Sequence, residues 1–293
     1  VSTPEDSHSG QANTAPETSP ETIQPTIDPN NPPWGLLEAL ATWMASVFLL
    51  FVVPLLCALP YLASQSRGTT DLSQEALMRD KTYILIIVAG FLPAHVLTLI
   101  LAWAVASRLG KVSVSKSLGF SWPPNFGIWK STGLAILLLG ITIAVLYKFG
   151  GPDTELERIL RSSRGAALML AFLATVTAPL MEEVVYRGIL YSALHRLAGP
   201  LISVLLVTSI FSGLHVFQYW PNVGAITAIT LLSLALTIVR ARTGRLLPCY
   251  VIHLVFNGVQ SVIIVADPYL RSLFQKPQPE TVPGIINSLS NIL

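Results

Sequence analysis

Charge is scarce in this chain. Only 12% of its 293 residues are Asp, Glu, Lys or Arg, against roughly 25% in soluble domains. The net charge is +2, and the basic residues are scattered rather than gathered in one patch, so nucleic acid is not an expected partner. Cysteine is nearly absent. Cys57 and Cys249 lie far apart, each in or beside an apolar run, and read as small buried hydrophobes. No CxxC or Cys/His spacing suggests a zinc or iron–sulfur site, and the HExxH pattern is missing. The first 33 residues contain no Lys or Arg, so no basic region precedes the first apolar run as it would in a secretory signal. Rich in Pro, Thr, Ser and acids and without apolar periodicity, residues 1–33 read as a disordered tail.

Apolar sequence is abundant: 52% of residues are hydrophobic and the mean hydropathy is +0.61. It is gathered into runs beginning near Leu36, Thr82, Ser131, Ala166, Leu201, Gly224 and Leu246. A membrane-spanning helix needs about 20 mostly apolar residues; only the run from Gly224 is short for this, and a thinner local bilayer accommodates it. In lipid every backbone polar group must be satisfied within its own element, which leaves helices or closed barrels. Alternating ten-residue barrel segments are absent. The expected fold is therefore all-α: a polytopic transmembrane bundle of about seven helices, or eight, in a multi-pass protein of the plasma membrane of a prokaryote. Residues 34–150 form its N-terminal helices, 151–270 its functional core and 271–293 a C-terminal tail. The stretch "DTELERILRSSRG" (153–165) alternates charge with Leu and Ile and reads as a short amphipathic helix on the interface. Lys and Arg nearly tie between the two sets of loops, with a slight lean to a cytoplasmic N-terminus.

Against that apolar background stands "MEEVVYRGILY", Met181–Tyr191. A charge at the bilayer centre costs at least about 2.5–3.5 kcal/mol, and such residues are usually functional. Glu183 and Arg187 lie at i,i+4 with the acid first, the better orientation for a helical ion pair. Glu182 lies about 100° round the helix and needs a partner from elsewhere. Pro179 weakens the helix just before it. Later runs supply Phe211 with His215 in "FSGLHVF", and His253 with Asn257 in "HLVFNG", again at i,i+4. At 1.5 Å per residue, Glu182, His215 and Asn257 lie about 18, 21 and 16 Å from helix ends on one side. Glu182, His215, His253 and Asn257 are expected to converge on one pocket. Interhelical hydrogen bonds in membranes average only about 0.6 kcal/mol, so mere helix adhesion is a poor reason to bury this many ionisable groups. By contrast, His95 reads as a packed residue, His195 as interfacial and Glu38 as a solvated helix end.

Three motifs in order, Glu-Glu-x-x-x-Arg, Phe-x-x-x-His and His-x-x-x-Asn, resemble the CPBP family: the type II CAAX prenyl endopeptidases and their bacterial Abi-type relatives. The likeness covers roughly residues 154–266, and "SLGFSWPP" (117–124) is similar to the turn preceding that family's core. The resemblance implies an intramembrane endopeptidase acting on membrane-associated, CAAX-type polypeptides. By that resemblance Glu182 activates water with His215, His253 and Asn257 bind the oxyanion or a metal, Glu183 and Arg187 orient, and Phe211 packs. General chemistry agrees, since peptide hydrolysis needs an activated water, an acid for the leaving amine and donors for the oxyanion. Zn²⁺ held by Glu182, His215 and His253 is the alternative source of activated water. A catalytically idle peptide-binding or immunity protein is the other functional reading, and a proton-coupled transporter a remoter one.

Overall fold

The computed structural model describes residues 28–67, 71–151 and 164–274. The described residues are helical, with no strand among them. In chain order they form α1 (Leu36–Gln65), α2 (Gln74–Leu77), α3 (Lys81–Ala106), α4 (Val114–Leu118), α5 (Ile128–Phe149) and α6 (Arg164–Phe172). A first π-helical segment (Leu173–Thr177), α7 (Ala178–Glu182), a second π-helical segment (Glu183–Leu190), α8 (Tyr191–Tyr219), α9 (Val223–Thr243) and α10 (Leu247–Phe274) follow. The stretch expected to lie on the interface, 153–165, falls almost entirely outside the described residues, as does most of the 1–33 tail.

Five helical stretches among the described residues are long and apolar enough to cross a membrane, and Leu247–Ile263 is a shorter apolar one. One of the five, Arg164–Tyr219, runs for 56 residues. A straight helix of that length would measure about 84 Å, far beyond a hydrocarbon core of about 30 Å. It breaks where the sequence allows: Gly199 has φ 75° and ψ 177°, a conformation that favours glycine, and Pro200 restarts the helix with its fixed φ. Helix thus stands at each of the seven apolar runs.

The surface supports immersion in lipid. Phe48, Phe51, Leu55 and Leu56 on α1 are more than half exposed, as apolar side chains facing acyl chains would be. On α5, Trp129 is 85% and Tyr147 94% exposed. They stand 18 residues apart, about 27 Å along the axis, which matches aromatic anchors at two interfaces. Cys57 is exposed and only Cys249 is buried. The expectation of burial fails for Cys57 because, in lipid, an apolar residue has no reason to turn inward.

The helices carrying Met181–Tyr191 lie in the middle of the bundle. The second π segment packs against α1, α3 and α8, while the first packs against α10. Met181, Val185, Ile189, Leu190, Tyr191 and Phe211 are all nearly inaccessible and share one core with Trp34 and Leu246. A second core joins α5, α9 and α10 through Leu139, Leu236, Cys249 and Ile252. α1 and α3 meet closely at a glycine: a Cβ on Gly90 would lie 2.6 Å from Pro54 Cα. Small residues at such contacts let membrane helices approach one another.

Candidate active site

The motif helix departs from α-geometry on both sides of Glu182. In the first π segment the N–H of Ala178 reaches back five residues to the Leu173 carbonyl. The next donor in that register is Pro179, which has no N–H. The Ala174 carbonyl is therefore without its π-register donor, and Asn257 Nδ2 of α10 donates to it at 2.9 Å. The second π segment is buried from Glu183 through Leu190, and it ends where Tyr191 N–H donates to the Tyr186 carbonyl. Such π-helical turns are frequent at functional sites.

Within this frame the two adjacent acids have different surroundings. The Glu183 side chain is wholly buried, and its Oε1 accepts from Arg187 Nη1 at 3.0 Å. The same oxygen lies 2.9 Å from His253 Nδ1. Arg187, equally buried, donates Nε to Thr237 Oγ1 at 3.2 Å, and Nη2 to Ser233 Oγ at 2.8 Å and to the Ser233 carbonyl at 3.1 Å. Its guanidinium also covers the Phe211 ring, 4.7 Å from the centroid. An ion pair taken out of water is stabilised by partners for its remaining donors and acceptors; α9 meets those of Arg187, while Glu183 Oε2 is buried with no hydrogen-bond partner among the described residues.

Glu182 is half-buried, its side chain 19% exposed, and its Oε2 lies 3.7 Å from His253 Nε2. His253 thus stands between the two carboxylates. His215 is half-buried; its Nδ1 is 2.8 Å from the Phe211 carbonyl, and its ring stacks on Phe211 at 4.5 Å between centroids. Phe211 in turn meets His253 edge-on at 6.5 Å. The structure therefore joins His253 to both glutamates directly and brings His215 in through Phe211. Asn257 lies one turn beyond His253 on α10, tied to the first π segment. Glu182, His215 and Asn257 are the half-buried members, whereas Glu183, Arg187 and His253 are buried behind them.

Of the three residues expected as the alternative metal set, Glu182 Oε2 and His253 Nε2 lie 3.7 Å apart, and His215 turns Nδ1 to the Phe211 carbonyl. Among the described residues no group of three His, Cys, Asp or Glu side chains is placed to hold a metal ion. His253 turns Nδ1 to Glu183, the kind of carboxylate partner a metal-ligating histidine commonly has, and leaves Nε2 toward Glu182.

Comparison with known proteins bears on this segment. The family profile described as type II CAAX prenyl endopeptidase Rce1-like matches residues 164–259. The matched segment, about a third of the chain, is similar to the protease core of that family. It contains all three motifs and both π segments. No match was found among curated proteins or solved structures. The match supports a CAAX-type membrane protease in general terms, and the apolar helices support an integral multi-pass membrane protein.

Sequence reasoning missed the partners of Arg187. Ser233, Thr237 and Arg240 stand at i, i+4 and i+7 of the sixth run, a polar stripe on one helix face that was there to be read. α9 continues to Thr243, and Arg240 within it is wholly buried. The other expectations find plain partners. His95 Nδ1 lies 2.8 Å from Thr177 Oγ1, His195 stacks on Tyr191, and Glu38 caps α1 at Gly35 N–H while meeting Arg108 at 3.1 Å.

Proposed function

We propose that the protein is an intramembrane endopeptidase in which Glu182 activates the attacking water. The observation that carries this reading is the division of labour between neighbouring acids. Glu183 is committed to Arg187 and His253 and is wholly buried, whereas Glu182 has no cation of its own, is partly exposed and faces His253 Nε2. Glu182 takes a proton from water as the oxygen attacks the scissile carbonyl carbon. The carbonyl π electrons move to oxygen, the resulting tetrahedral oxyanion collapses, the C–N bond breaks and the proton goes to the leaving amine. His253, within 3.7 Å of Glu182, shares that proton and fixes the carboxylate. His215 and the second N–H of the Asn257 amide remain to polarise the water and the oxyanion. Losing a single oxyanion donor costs about 10²–10³ in rate in other hydrolases.

The matched family's name supports, as the substrate class, membrane-associated polypeptides with prenylated CAAX-type ends. The test is cleavage of farnesylated and unfarnesylated CAAX peptides by purified protein in lipid nanodiscs. Glu182→Gln preserves shape and removes the base, so cleavage should fall by at least about 10² while thermal unfolding stays at the wild-type temperature. Equal cleavage by the two proteins would refute the assignment of Glu182.

A further inference from the structure

The segment Pro29–Gly35, most of which was expected to belong to a disordered tail, is built into the body of the protein. Pro29, Pro32 and Trp34 are buried. Arg240 Nη1 donates to Asn30 Oδ1 at 2.8 Å, and Nη2 donates to the Pro29 carbonyl at 3.0 Å and to Ser192 Oγ at 2.9 Å. Its third nitrogen, Nε, donates to the Arg187 carbonyl at 3.1 Å. Arg196 Nη1 holds the Pro32 carbonyl at 2.9 Å, and Trp34 Nε1 donates to the Ile189 carbonyl at 3.1 Å.

Arg187 and Ile189 both belong to the second π segment. Where a π-helix gives way to an α-helix the donor register slips by one residue, so carbonyls near the junction compete for fewer N–H groups. Here two are met from outside the helix by side chains, one on α9 and one on the segment preceding α1. Arg240 is also a buried guanidinium without an acidic partner among its described hydrogen bonds. Its charge is met by carbonyl and hydroxyl oxygens, three of them from Pro29, Asn30 and Arg187, and by the Tyr191 ring at 5.3 Å. Such a residue fixes the geometry of everything it touches, because leaving any of its donors unmet in the interior is costly.

We infer that Arg240 and Trp34 are positioning residues for the active site, and that Pro29–Gly35 is the strap that keeps Arg240 in place. By holding the carbonyls of Arg187 and Ile189 they maintain the π register of Glu183–Leu190, and through it the direction in which Glu183 and Arg187 present themselves to His253. The inference rests on the endopeptidase reading for its kinetic consequence only. The register itself is measurable without substrate.

The experiment compares full-length wild type with Trp34→Phe, Asn30→Ala and Arg240→Lys in nanodiscs. Trp34→Phe removes the indole N–H and keeps an aromatic ring, Asn30→Ala removes one strap bond, and Arg240→Lys keeps the charge without the fork of donors. Three readouts are taken: thermal unfolding, kcat and KM on a CAAX peptide, and hydrogen–deuterium exchange of peptides covering residues 183–192. The expected result for Trp34→Phe is a near wild-type unfolding temperature, faster exchange in 183–192 and a kcat lowered about tenfold with KM little changed, since a small misplacement of catalytic groups is costly in rate. Arg240→Lys should show the faster exchange and the lower kcat more strongly, together with a lower unfolding temperature from the buried acceptors it leaves unmet, and Asn30→Ala should show the Trp34→Phe pattern more weakly. Wild-type exchange and wild-type kcat in Trp34→Phe and Arg240→Lys would overturn the inference. So would a loss of unfolding temperature in all three with kcat per folded molecule unchanged, because the strap would then be structural only. If the wild type cleaves no peptide, the endopeptidase reading fails, and the exchange of 183–192 alone decides the strap.

Discussion

At the scale of single residues, neighbours in sequence are separated by what they bond to. Glu182 and Glu183 have the same chemistry, yet Glu183 is bonded to Arg187 and His253, whereas Glu182 has only His253 Nε2 at 3.7 Å. Asn257 shows the same principle. Its amide is tied to the Ala174 carbonyl, so it has a structural bond to keep besides any contact with substrate. Asn257→Asp keeps the shape but points an acceptor at that carbonyl. The expected outcome is a protein destabilised by about 1–3 kcal/mol, the usual cost of an unmet buried polar group, with folded yield and cleavage falling together. A residue that touched substrate alone would lose cleavage at an unchanged unfolding temperature, so thermal unfolding of the purified variant separates the two roles.

At the scale of elements, the core helix is a composite of α- and π-turns, and each irregularity has a local cause with a distant partner. Pro179 removes a donor and α10 replaces it. The second π segment is flanked by donors from α9 and from the strap. Gly199 and Pro200 split what would otherwise be one overlong helix. The α1–α3 pair depends instead on close approach. A Cβ on Gly90 would meet backbone, Pro54 Cα at 2.6 Å, and Pro54 Cβ at 3.2 Å. Gly90→Ala therefore requires the two helices to separate rather than a side chain to turn. Overpacking of this kind costs about 1–3 kcal/mol, so a lower unfolding temperature in nanodiscs is expected, with residual activity per folded molecule retained because α1 and α3 carry none of the motif residues.

At the scale of the whole molecule, large apolar side chains cover much of the surface, while the apolar interior also encloses Glu183, Arg187 and Arg240. The two cysteines report on this directly. Cys57 is exposed on the apolar surface of α1, and Cys249 is buried between α9 and α10. A water-soluble maleimide should label neither in protein embedded in a bilayer, and both after denaturation in detergent. Rapid labelling of Cys57 in intact membranes would show that this face of α1 meets water rather than lipid.

The sequence alone determined the class of the fold and the identity of the motif residues. Runs of about 20 apolar residues admit only helices in lipid, and Glu182, Glu183, Arg187, Phe211, His215, His253 and Asn257 stand out because ionisable and polar groups are rare in such runs. The ion pair of Glu183 with Arg187 was likewise legible, since four residues bring two side chains onto one helix face. Which acid is spare was only half legible, because it depends on His253 from a helix 70 residues away, which bonds Glu183 and lies further from Glu182. The π register, the tie from Asn257 to Ala174, and the strap that crosses from Pro29 to Arg240 belong to the tertiary structure alone. Each consists of backbone carbonyls meeting side chains from distant segments, and carbonyls are common to every residue, so no pattern of residue types announces which of them will be left to satisfy.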